Sequence, residues 1–157
     1  MTTTTPLLLI TADPSHPLAH LALRYARTYL ANTDTNNNDT NNNDTNNNNE
    51  TDSSDNNENA PAPLNIFFYA DAANTANRLR WQSADQMNIT KEWQKLAQQY
   101  QLTLPVCVST ALSRGISDSE NSTRHQLNSE NLAAGFKLVG LSELAMMMQG
   151  NCRLLQF

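Results

Sequence analysis

The sequence predicts an α/β domain, three layers deep (α/β/α), around a mostly parallel sheet of about five strands. Three observations lead there. Short continuous apolar runs such as "PLLLITA", "LNIFFYA" and "LTLPVCV" read as strands covered on both faces. Segments with apolar residues at helical spacing separate them. The chain has 157 residues, a length that suits a single domain.

The first strand is expected over 6–12 and the first helix over 17–31. There Leu18, Leu21, Ala22, Tyr25 and Tyr29 recur at helical spacing, and Pro17 suits the first turn. Residues 32–62 read as a disordered insert, because 32–59 hold no aliphatic, aromatic, Lys or Arg side chain. Such a segment cannot bury enough apolar surface to offset the entropy of ordering its backbone. A second strand is expected over 64–70. A helix follows over 88–101, with Ile89, Trp93, Leu96 and Tyr100 on one face and Asn88 or Thr90 as its cap. The third strand, 102–108, has Pro105 near its start, which suits an edge strand or a strand's first residues.

Beyond it, "STALSRG" reads as a short helix closed by Gly115, and 117–129 as a polar connection. "SENLAAGF" reads as a capping box at Ser129 opening a short helix that ends at Gly135. "FKLVG" is the fourth strand, "LSELAMMMQG" a helix closed by Gly150, and "CRLLQF" the fifth strand. Met146, Met147 and Met148 span too wide an arc for one helix face, so at least one must meet a partner or solvent.

Charge narrows the function. The insert carries seven acids (Asp34, Asp39, Asp44, Glu50, Asp52, Asp55 and Glu58) and no base, and subtracting them from the chain's −5 leaves +2. A nearly neutral remainder offers no basic stripe for phosphate backbones, which disfavours direct nucleic-acid binding. The N-terminal "MTTTTPLLLITAD" lacks the basic start of an export signal, and no apolar run is long enough for a membrane span. A cytoplasmic protein with two reduced cysteines is expected.

Cys107 is the candidate reactive group. In such sheets functional groups gather beyond the carboxyl ends of strands, and Cys107 lies at one, directly before a helix. A thiol there can receive hydrogen bonds from the helix start and from Ser109 or Thr110, which lowers its pKa. The alternative is a small buried hydrophobe inside the strand. Sharper motifs fail on spacing. Six residues separate Cys107 from Arg114, with no glycine between, so a phosphate-cradling cysteine phosphatase loop is absent. The "TADPSHP" turn has no glycine for a phosphate loop, and no CxxC occurs. His16 and His20 read as a surface pair, and His125 gives no sign of facing a nucleophile. No metal site and no cofactor site is expected.

"LTLPVCVSTALSRGI", then "SENLAAGFKLVGLSELA", then "CRLLQF" resemble the DsrE/TusD family of sulfur-relay proteins, and "FFYADAANTANRL" is similar to that family's second strand and the segment after it. The resemblance implies a DsrE-like fold of flavodoxin-like architecture, a single domain over 1–157 interrupted by the insert. It implies a sulfurtransferase subunit whose Cys107 carries sulfane sulfur as a persulfide, with no cofactor or metal; Ser109 and Thr110, read above as donors to the thiol, are its expected supporting residues. It further implies TusB-like and TusC-like partner subunits in a dimer of heterotrimers, a TusA-like sulfur donor and a TusE-like acceptor. The sulfur's destination would be the 2-thio group of a transfer RNA wobble uridine. Other readings remain: a non-catalytic scaffold subunit, a subunit in dissimilatory sulfur oxidation, or a thiol redox sensor. Cys152, opening the last strand, is expected at the opposite end of the sheet from Cys107, too far for a disulfide.

Overall fold

Five strands, β1 (Thr5–Ile10), β2 (Asn65–Phe68), β3 (Leu104–Cys107), β4 (Phe136–Val139) and β5 (Cys152–Gln156), form one sheet in the order β4-β3-β2-β1-β5. Every neighbouring pair is parallel. The computed structural model describes residues 4–39 and 64–157. The layers match a flavodoxin-like architecture, while the strand order differs from that of flavodoxin itself.

That order decides where the helices go. Crossovers between parallel strands are right-handed. The steps from β1 to β2, β3 and β4 all move the same way along the sheet, so α1 (Pro17–Asp39), α2 (Ile89–Tyr100), α3 (Val108–Leu112) and α4 (Ser119–Arg124) belong to one face. The step from β4 to β5 reverses direction, which sends α5 (Leu141–Met147) to the other face. The core divides accordingly. The larger cluster joins Leu8, Ile10, Ile66, Phe68, Leu104 and Val106 with Ala22, Leu23 and Leu30 of α1 and Trp93 and Leu96 of α2. The smaller one holds Leu7, Phe67 and Cys107, with Leu144 and Met147 of α5 packed against it. Met147 thus reaches the sheet while Met146 and Met148 stay exposed, as the width of their arc requires.

Local rules account for most boundaries. Asn88 caps α2 by accepting from the Lys91 N–H at 3.1 Å. Gly115, at φ +71°, ends the turn after α3: its N–H donates to Leu112 O and that of Ile116 to Ala111 O, the paired bonds of a Schellman cap. β3 is an interior strand, so Pro105 marks its first residues and not an edge.

Three expectations need correction. The first helix does not stop at residue 31, since α1 continues through Asn32 to Asp39. Once a helix is nucleated, each added residue gains a hydrogen bond at little further expense, so polar residues can extend it. Thr33 also donates its hydroxyl to Tyr29 O at 2.9 Å. The remainder of the expected insert, 40–62, lies outside the described residues. The helix expected over 129–135 is absent, because its backbone is committed elsewhere. Leu132 bridges Asn77, Ala133 N–H donates to Ala76 O, and the Asn131 amide accepts from Ser117 N–H and donates to Gly115 O. The polar connection 117–129 instead contains α4. Asp118 caps it from Asn121 N–H, and Glu120 and Arg124 pair one turn apart.

No helix among the described residues is long and apolar enough to cross a membrane. One turn is poorly served by its sequence. Gln101 closes α2 in the left-handed region, φ +51°, with Leu102 N–H donating to Ala97 O. A Cβ there costs energy that glycine avoids. Gln101→Gly is expected to raise stability by about 0.5–1 kcal/mol after glycine's extra unfolded-state entropy, read as a higher urea midpoint at unchanged slope.

Candidate functional site

Cys107 ends β3 and is the residue before α3, with extended backbone (φ −59°, ψ 119°). β3 and β4 are neighbours whose following helices lie on opposite faces, so their carboxyl ends flank the crevice where an open α/β sheet places its ligands. Cys107 sits at that crevice, paired with Val139. Side-chain alternation aims its sulfur at the α5 face, into the cluster with Leu7 and Phe67. The residue is 0 % exposed, yet Ser109, whose Oγ lies 3.3 Å from the sulfur, is exposed. The thiol therefore lies one residue beneath the surface.

Burial is the largest single influence on this thiol and opposes ionisation. Four donors outweigh it and hold the pKa below the ordinary thiol value: the Ser109 hydroxyl first, then the Thr110 amide, the Thr110 hydroxyl and the Ser109 amide. A helix of five residues carries little macrodipole, which leaves these specific donors to do what a long helix would. Thr110 donates its hydroxyl to Cys107 O at 3.1 Å.

The sign of the pH dependence follows. A depressed folded-state pKa adds stability that is complete above the unfolded thiol's pKa and is lost as pH falls through the folded one. Ser109→Ala removes the largest stabiliser of the thiolate. It is expected to move the midpoint of the Cys107 alkylation-rate profile upward, and to cost more stability at alkaline pH than at pH 6, measured by denaturant melts at both.

The structure thus brings Ser109 and Thr110 to Cys107 and leaves the other candidates away from it. Arg114 points off to Asp71. His16 and His125 are exposed, and His16 accepts from Leu18 N–H at the start of α1. Cys152 is level with Thr5, at the opposite end of the sheet and three strands from Cys107. Strand spacing puts the two Cα atoms roughly 20–25 Å apart, beyond the reach of a disulfide, and both cysteines are free. No group of three or more His, Cys, Asp or Glu among the described residues could hold a metal.

Two polar contacts at this end of the sheet escaped the sequence. Asp13 accepts from Ser15 N–H at 2.9 Å and from the Asn74 amide at 3.0 Å, joining the loop after β1 to the 3-10 helix Ala70–Ala76. Burial pushes its carboxyl up most strongly, but Ser15, Asn74 and Arg80 together hold it below the usual range. Asp71 pairs with Arg114 across forty-odd positions of chain. The Asp-Pro-Ser turn was a usable local signal for the first. Nothing local signals the second.

Fold and site together define a small parallel α/β domain that presents a free thiol, its pKa held low by neighbouring donors, at the switch point of its sheet. The chain belongs to the DsrE/DsrF-like family, whose family model matches residues 7–157. Sulfurtransferase TusD of Sodalis glossinidius (strain morsitans) is 39% identical over 92 residues, 59% of this chain and 71% of that protein. Sulfurtransferase TusD of Erwinia tasmaniensis is 40% identical over 92 residues, 59% and 72% of the two chains. The crystal structure of the ychN protein from E. coli superposes with a TM-score of 0.61 at 14% identity, covering 99% of this chain and all of that one, a likeness of fold.

Proposed function

We propose that this protein is a sulfurtransferase subunit in which Cys107 accepts sulfane sulfur and hands it to a partner protein. The observation that carries the proposal is the thiol itself: it ends β3 at the switch point, with Ser109 Oγ at 3.3 Å and a lowered pKa. Similarity to proteins named sulfurtransferases supports a sulfur-transfer role. The step balances without a cofactor. The Cys107 thiolate attacks the outer sulfur of a donor persulfide, a new S–S bond forms on Cys107, and the donor's S–S bond breaks to release its thiolate. Repetition on the acceptor's thiolate regenerates Cys107. Lowering the thiol's pKa raises the thiolate fraction for the first half, and makes Cys107 a better leaving group in the second. Because the sulfur is buried in the single chain, a donor must displace what lies over it, and exposed Ser109 marks the thinnest cover.

The same reading places the subunit in a relay from a TusA-like donor to a TusE-like acceptor, within a heterohexamer of TusB-like, TusC-like and TusD-like chains in the cytoplasm, ending in 2-thiolation of a wobble uridine. The exposed Leu141, Met146 and Met148 around α5 support a protein partner on that side. Peptide mapping after incubation with a persulfide donor tests the carrier step. One thiol-reducible sulfur on Cys107 is expected, and no adduct from any competent donor overturns it. Loss of thiolated uridine in a reconstituted relay lacking this chain tests the destination, and sulfur oxidation supported in its place would favour the dissimilatory role.

A further inference from the structure

We infer that Asp71 and Arg114 form a positioning pair that seats the first turn of α3 against Cys107 and so sets the reactivity of its thiol. This rests on the reading of Cys107 as the sulfur-carrying group. α3 is a single turn, too short to hold its own geometry. Its place must be fixed by what it touches. Arg114, just past its end, donates Nη1 to Thr110 O at 3.1 Å. Its Nε and Nη2 both reach Asp71 Oδ1, at 3.2 and 2.7 Å. One guanidinium therefore grips the carbonyl of Thr110, a residue whose amide and hydroxyl act on the thiol, and anchors it to the carboxyl end of β2.

The backbone at Asp71 shows the same arrangement from the other side. Ala70 holds φ +53°, a left-handed conformation that the Cβ of an alanine disfavours. That turn starts the 3-10 helix and carries Asp71 beside α3 directly after the strand. Strain of this kind persists only where surrounding contacts over-determine it. Here Ala72 N–H donates to Thr11 O and to Tyr69 O, each at 3.2 Å, and Arg114 holds Asp71. Asp71 is 65% exposed, so the pair adds little to stability and its effect is geometric.

The sign of the effect separates positioning from charge. Asp71→Asn removes a negative charge from the segment paired with Arg114, and by Coulomb's law alone the thiolate would become, if anything, easier to form. Loss of positioning does the reverse. In a Cys152→Ser background, with cysteine labelled at 13Cβ, the Cys107 titration midpoint is expected to move upward in Asp71→Asn. Iodoacetamide alkylation at pH 7 is expected to slow about threefold, the change that half a unit of thiol pKa produces. Arg114→Lys, which keeps the charge but loses the fork, is expected to shift the midpoint the same way, with melting temperature nearly unchanged in both. A midpoint that stays in place or moves downward in Asp71→Asn overturns the inference, whatever the sulfur-loading result. Failure of the unsubstituted chain to take sulfur overturns the carrier reading and leaves the midpoint comparison to decide the pair.

Discussion

Cys107→Ser is expected to fold, to assemble and to carry no sulfur. The loss is complete because the step needs a nucleophile that also accepts a covalent sulfur. A serine hydroxyl is not ionised near neutral pH, and an oxygen–sulfur bond would not survive to be passed on. Folding is preserved because the change is small. Serine is slightly smaller than cysteine, and its hydroxyl has Ser109 Oγ beside it as a partner in an otherwise apolar pocket with Leu7 and Phe67. A buried hydroxyl without a partner would cost about 1–3 kcal/mol, and with this one the expected cost is nearer 1. Intact mass after exposure to a persulfide donor should show one added sulfur on the unsubstituted chain and on Cys152→Ser, and none on Cys107→Ser. Cys152 is the right control because it lies at the other end of the sheet.

The same variant separates the competing roles. A scaffold subunit would support normal relay after Cys107→Ser, because its task is to hold an active partner. A redox sensor would form a stable sulfenic acid on Cys107 under mild peroxide and transfer no sulfur. A carrier loses relay in Cys107→Ser with the complex intact by size-exclusion chromatography. The surroundings of the thiol favour the carrier over the inert core cysteine. A purely structural cysteine buried among Leu7 and Phe67 would have its pKa raised by desolvation, whereas here hydrogen-bond donors reverse that push.

The sheet was legible in the sequence because its strands are continuous apolar runs, and all five sit where such runs occur. Cys107 was legible because it ends one of them and short hydroxyl residues follow. What stayed hidden has a common physical character. α4 buries Asn121 and Ser122 and no apolar side chain, so periodicity could not show it; only Asp118 and the Glu120–Arg124 spacing could. Residues 129–135 look like a helix start, yet pairing of 131–133 with the segment after the 3-10 helix wins over local propensity. Asp71 and Arg114 meet only because adjacent strands bring their ends together, which no local pattern records. The split of helices between faces was also hidden, since it follows from strand order and not from any one element.

Phe68→Ala is expected to give the largest loss of stability of any change outside the site. Phe68 lies on the middle strand, 0 % exposed, with its ring edge-on to Trp93 at 5.5 Å and to Phe136 at 5.4 Å between centroids. It thus joins α2, β2 and β4 through one side chain. Truncation removes its own burial, leaves a cavity that two rigid rings cannot collapse into, and forfeits both edge contacts. Together these amount to about 3–5 kcal/mol, a large share of the 5–15 typical of a domain. At a urea slope of about 2 kcal/mol/M, the midpoint should fall by about 2 M. Exposed Trp81, 83% accessible, supplies the contrast, and Trp81→Ala should move the midpoint by less than about 0.3 M. The cavity also reaches the site: Phe68 pairs with Val106, the residue before Cys107, and precedes Tyr69 and the strained Ala70. Cys107 alkylation in the folded variant should therefore lose part of its pH dependence as the strand ends loosen. Equal midpoint shifts in Phe68→Ala and Trp81→Ala would mean that the aromatic cluster is not what locks α2 to the sheet.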